Sequence, residues 1–210
     1  REILNYKNAT QTSQTLSVQW PFKPLKASIS GELGYEWSQS FQIQNEVDLE
    51  QINSSTSVGT ELQWNEFDKW SMSLGADMAW NRGSIGGQSN NKFTNQSYYA
   101  ELVLNPIKRL EWSAELDMEV YGANAAAGAQ SIPILTSQLS YSMDSSDRWS
   151  IGLKAFDILD QNQNLWRYWT ANRFIQSQNL AVRRYVMFTV RYKIKKPIPK
   201  KNKQSSISKE

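Results

Sequence analysis

Apolar residues recur at every second position along most of this chain, in runs separated by turn-forming or polar stretches. A period of two sorts side chains onto the two faces of a strand, whereas a helix would mix the two sets. Nine strands are predicted on this basis. Residues 15–22 align Leu16, Val18, Trp20 and Phe22, and residues 26–37 align Ala27, Ile29, Leu33, Tyr35 and Trp37 opposite Ser28, Ser30, Glu32 and Glu36. Residues 57–64 align Val58, Leu62 and Trp64, and residues 70–80 align Trp70, Met72, Leu74, Ala76, Met78 and Trp80 opposite Ser71, Ser73 and Asp77. Residues 97–105 align Tyr98, Ala100, Leu102 and Leu104. The cleanest alternation is 110–120, with Leu110, Trp112, Ala114, Leu116, Met118 and Val120 against Glu111, Ser113, Glu115, Asp117 and Glu119. Residues 135–143 and 149–155 follow the same rule through Leu139 and Tyr141, then Ile151 and Leu153. The ninth strand, 179–194, sets Val182, Val186, Phe188, Val190, Tyr192 and Ile194 against Arg183, Tyr185, Met187, Thr189, Arg191 and Lys193. Residues 1–8 read as the end of a tenth, earlier strand.

The connections alternate in length. Short ones (21–25, 65–69, 105–109 and 144–148) carry Pro, Asn, Asp and Ser, the residues of tight turns. Long ones (38–56, 81–96, 121–134 and 156–178) lie between them and are read as extended loops. A meander with tight turns at one rim and long loops at the other is the pattern of a transmembrane barrel. The tryptophans agree. Trp20, Trp64, Trp70, Trp112 and Trp149 lie on the apolar face near the short turns, and Trp37 and Trp80 lie on it beside the long loops. Interfacial girdles need aromatic residues at strand ends, whereas a soluble sandwich would hold them mid-strand. Strands of roughly 9–13 residues cross a ~25 Å apolar band at ~40° tilt. The fold class predicted is all-β, an antiparallel transmembrane β-barrel of nine or ten strands over residues 1–194, with outer-membrane lipid covering its apolar face.

Composition changes this picture little. The mean hydropathy of −0.60 would suit a soluble protein, but lumen-facing polar residues cancel lipid-facing apolar ones in any barrel average. No stretch approaches 18 consecutive apolar residues, so membrane-spanning helices are not expected. The net charge of +3 is uneven: residues 195–210 carry six lysines against Glu210. They read as a basic, disordered tail on the periplasmic side, and the lack of interleaved aromatics argues against nucleic acid. The chain begins with Arg1 and shows no secretory leader, as a mature chain or a piece of a longer one would.

The residues 156–194, FDILDQNQNLWRYWTANRFIQSQNLAVRRYVMFTVRYKI, resemble the end of TonB-dependent receptor-like outer-membrane barrels. Phe156, Asp157, Gln161, Asn162, Asn164, Arg167, Tyr168, Thr170, Asn172, Arg184, Tyr185, Met187 and Tyr192 stand at matching places. The resemblance implies a barrel of about 22 strands, of which this chain would supply less than half. It also implies upstream strands and a plug of the same protein, and a role in ligand import driven by inner-membrane energy.

Catalytic chemistry is hard to find. Histidine and cysteine are both absent, which removes His-based triads, thiolates and ordinary zinc sites. No catalytic, cofactor or metal residue is predicted, and the chain is read as not an enzyme. Glu111, Glu115, Asp117 and Glu119, with Asp77, Glu32 and Glu36, form an acidic lumen face, and Lys154, Arg183, Arg191 and Lys193 supply opposite charge. A wet lumen or plug contact accounts for such a face more simply than a cation site does. The Gly83–Gly87 glycines lack the Lys-Ser/Thr and following helix of a phosphate loop. Trp166, Tyr168 and Trp169 in the last long connection are the candidate contacts for a ligand or partner, although packing onto the barrel mouth would also explain them. Two functions fit this sequence: an importer, or a non-transporting scaffold barrel assembled with a surface lipoprotein or other outer-membrane subunits.

Overall fold

Alternation along the chain becomes one continuous sheet. A computed structural model describes residues 9–44, 47–66, 68–122, 128–144, 148–169 and 174–194. Eleven strands are present among them: β1 (Thr10–Phe22), β2 (Ala27–Gln44), β3 (Val47–Glu66), β4 (Trp70–Ile85), β5 (Gln88–Ile107), β6 (Leu110–Tyr121), β7 (Gln130–Ser142), β8 (Trp149–Phe156), β9 (Leu165–Trp169), β10 (Phe174–Gln178) and β11 (Tyr185–Tyr192). Nine of them form an antiparallel meander in the order β1-β2-β3-β4-β5-β6-β7-β8-β11, and β9 and β10 form a separate hairpin. The nine sheet strands correspond to the nine predicted. The tail and residues 1–8 lie outside the described residues.

Strand register tests the predicted faces, because residues paired across neighbouring strands share a face. One row runs Leu16–Leu33–Val58–Met78, another Leu74–Ala100–Leu116–Leu135, and at the far edge Leu153 meets Phe188. The apolar parity never crosses to the other side. Among the described residues nothing covers this face: Leu16, Val18, Leu33, Leu153 and Phe188 are all about half exposed or more. The buried hydrophobic residues among those described are Tyr121, Ile132 and Leu165, and all belong to the opposite side. A soluble sheet could not leave such a face bare, and in a membrane barrel lipid covers it.

The strands are taller than predicted, and two long loops are corrected. Residues 38–56 and 81–96 are mostly strand, since β2 pairs β3 up to Gln44–Val47 and β4 pairs β5 up to Ile85–Gln88. The hairpin at Gly86 and Gly87 turns through positive φ at both glycines. From Trp70 to Trp80 the outward face of β4 spans about 25 Å along the normal, at about 3.3 Å per residue and about 40° tilt. The hairpins therefore rise past the Trp37 and Trp80 level as two-stranded ribbons. The third loop is shortened by β6 and β7. The fourth contains β9 and β10.

The last strand is also corrected. It covers Tyr185–Tyr192 rather than 179–194, because its partner β8 ends at Phe156 opposite Tyr185 and Asp157 turns away with φ 49°. The short rim is as predicted. Asp68 and Arg109 take positive φ in its turns, and Lys26, at φ 52°, pairs with Glu66 at 2.6 Å. Asp144 accepts hydrogen bonds from the backbone N–H of Trp149 (3.1 Å) and of Arg148 (2.7 Å). The Trp149 bond, with the Arg148 bonds behind it, holds the Asp144 carboxyl below the usual carboxylate range.

Candidate functional site

The inward face is mostly polar, apart from an apolar patch of Tyr121, Ile132 and Ile134 at its tall end. Glu32, Gly59, Asp77, Ser97 and Glu119 follow one another along one row, and Glu61, Gly75, Tyr99 and Asp117 along the next. Glu101 and Glu115 stand directly opposite each other, an arrangement that repels unless water or a cationic partner intervenes. Register thus adds Glu61 and Glu101 to the acids predicted. Glycine shapes this wall, since a Cβ on Gly75 would collide with the Tyr99 ring and one on Gly59 with the Asp77 carboxylate. Lys154 faces Gln138 and Met187 rather than an acid, and Arg191 faces Ser150, so the predicted positive groups stand apart from the acidic rows. Arg183 and Lys193 lie beyond the ends of β11. Among the described residues no three carboxylates converge as metal ligands.

At the tall end the β9–β10 hairpin folds against this inward face. Leu165 joins Tyr121 and Ile132 in the small buried cluster, with Ile134 packed beside it, and its carbonyl accepts the Tyr121 hydroxyl at 3.2 Å. Arg167 is the main staple. Its guanidinium donates to Gly128 O (2.9 Å), Gln130 Oε1 (2.7 Å) and Gln176 Oε1 (2.9 Å), with its carbon 5.8 Å from the centre of the Tyr121 ring. Gln130 in turn donates to Gln163 at 2.6 Å. The approach to the hairpin is set by Asp157. This fully buried carboxylate accepts the backbone N–H groups of Gln161 and Asn162, both at 3.0 Å.

Strand alternation then divides the three predicted aromatics. Leu165 and Arg167 hold the wall, so Trp166 and Tyr168 share the other face of β9, their ring centroids 4.3 Å apart and tilted by 37°. Trp166 is 56% exposed. The packing of this strand against the sheet is thus made by Leu165 and Arg167, and the two aromatic residues lie on its other face. Trp169 pairs with Phe174 through the backbone, and its side chain lies outside the described residues. The residues that sequence reasoning missed are the staples, Asp157 and Arg167 above all. The quoted resemblance had marked both positions without a role.

Residues 50–192, about two-thirds of the chain, match the outer membrane protein beta-barrel family. The chain belongs to this family. This outer-membrane β-barrel protein accordingly sits in the bacterial outer membrane, with its bare apolar face toward lipid and its acidic face toward the lumen. No curated protein and no solved structure matches it.

Proposed function

We propose that this sheet is the C-terminal wall of a TonB-dependent receptor-like importer, non-enzymatic and without a cofactor, with its short turns toward the periplasm and its tall hairpins outside. The observation that supports the reading most is the state of the sheet's edges. β1 and β11 end the order and do not pair with each other. Nine antiparallel strands leave these two running in the same direction, so joining them would force a parallel pair into an otherwise antiparallel wall. Bare strand edges in hydrocarbon cost several kcal/mol for each unpaired group. An odd number of further strands would complete the wall, and a barrel of about 22 meets that condition and leaves a lumen wide enough for a plug. The acidic rows then face a plug or passing ligand, and the Trp166–Tyr168 face is placed to meet ligand or a surface lipoprotein. A scaffold barrel is the second reading, favoured by the fixed staples that hold this aromatic face outward.

Energy dependence separates the two. Residues 1–210 hold no cysteine, so a cysteine replacing Asp77, with any cysteine elsewhere in the full gene product changed to serine, is a single label site. In intact cells an importer should let a membrane-impermeant maleimide reach that position several-fold faster while the inner membrane is energised. A scaffold would label at one rate before and after the proton gradient is collapsed.

A further inference from the structure

The lipid-facing side carries an unexplained feature at the level where β3 and β4 leave the membrane. Arg82 of β4 and Lys92 of β5 are cross-strand partners, which puts two positive side chains side by side on one face. That face is the outward one, two residues beyond Trp80 of the girdle. Both are exposed, and neither has an ion-pair partner among the described residues. Glu50, outward-facing higher on β3, is instead engaged by the Gln39 amide. Like charges directly opposite are unfavourable without a counter-charge.

Beneath Arg82 lies a groove of about 470 Å³ lined by Tyr35, Ser54, Thr56, Trp80 and Arg82. It arises because β3 presents only the small side chains Ser54 and Thr56 between the rings of Tyr35 on β2 and Trp80 on β4. All five lining residues share the outward parity. The groove opens toward hydrocarbon at its lower end and meets the cationic pair at headgroup level.

We propose that this groove binds a phosphate-bearing lipid of the leaflet on the tall-hairpin side. An acyl chain lies over Thr56 between Tyr35 and Trp80, and the phosphate takes the place of the missing counter-charge at Arg82 and Lys92. Charge complementarity selects the headgroup, and the trough of small residues receives the chain.

The test uses the full gene product folded in neutral detergent, with bound molecules counted by native mass spectrometry. The probes are dioleoyl phosphatidic acid, dioleoylglycerol and inorganic phosphate. Phosphatidic acid should be retained in preference to dioleoylglycerol. R82Q/K92Q should weaken its binding by roughly 30-fold, and K92Q alone, which carries the test if the double variant does not fold, by roughly fivefold. T56W should displace the lipid with both cations in place. Unchanged retention in the charge variants, or equal retention of dioleoylglycerol, would overturn the proposal. So would displacement by inorganic phosphate at the lipid's own concentration, which would mark a site for soluble anions, or full retention in T56W.

Discussion

Replacing Leu116 with Arg should cost about 2–4 kcal/mol of stability in a bilayer, among the largest effects a single outward substitution can have here. Leu116 sits midway along β6, paired with Ala100 on one side and Leu135 on the other, so it lies deep in the apolar band. A guanidinium there must leave water or drag water and headgroups inward, and no carboxylate shares its row. Glu115→Arg, one residue away on the wet face, should change stability by less than about 1 kcal/mol, because it meets water and relieves the facing Glu101. Urea unfolding of both variants in liposomes gives the comparison. A larger loss from Glu115→Arg than from Leu116→Arg would reverse the two faces.

Asp157→Ala should release the hairpin at the mouth while leaving the nine-stranded sheet in place. Each oxygen of this buried carboxylate holds one backbone N–H, of Gln161 and of Asn162. Leaving a buried N–H without its acceptor costs about 1–3 kcal/mol for each group, and water can refill part of the gap, so a loss of about 2–4 kcal/mol is expected. The loss falls on the segment that carries β9 and β10, whose other attachments include the Arg167 hydrogen bonds, the Gln130–Gln163 bond and the Leu165 contact. Hydrogen exchange should show Leu165–Trp169 amides losing protection while those of β4 and β6 keep theirs. Asp157→Asn, which retains one acceptor oxygen, should fall between. Undiminished protection in Asp157→Ala would mean that the hairpin is held without this residue.

The parts of this fold legible in the sequence are those where lipid imposes a pattern. Between Trp70 and Trp80, or Leu110 and Val120, one face must be apolar and the other polar, and each strand announces itself. Above the girdle that constraint ends. Ser38, Gln39, Ser40 and Gln42 pair with β3 as firmly as the membrane residues do, but Gln39 interrupts the apolar parity and only Phe41 and Ile43 resume it, so the period-two signal is too short to separate from a loop. β9 and β10, five residues each, are too short for alternation to separate from chance. The acidic face was visible as a parity, but its rows were not, because they depend on register between strands: Glu101 becomes the neighbour of Glu115 only once β5 and β6 are aligned. The aromatic site was half legible. Composition marked Trp166 and Tyr168, whereas the burial of Asp157 and the bonds of Arg167 to Gly128 and Gln130 depend on how distant segments meet.

The central claim is that one parity of every sheet strand faces lipid and the other faces water inside the outer membrane. Single cysteines placed in turn at Glu111, Trp112, Ser113, Ala114, Glu115, Leu116, Asp117 and Met118 in isolated outer membranes test it on one strand. Labelling with a water-soluble maleimide should alternate, fast at Glu111, Ser113, Glu115 and Asp117 and slow at Trp112, Ala114, Leu116 and Met118. An environment-sensitive fluorophore should be quenched by acyl-chain spin labels at the second set. Equal labelling at all eight positions, or fast labelling at Leu116 with lipid quenching at Glu115, would contradict the account.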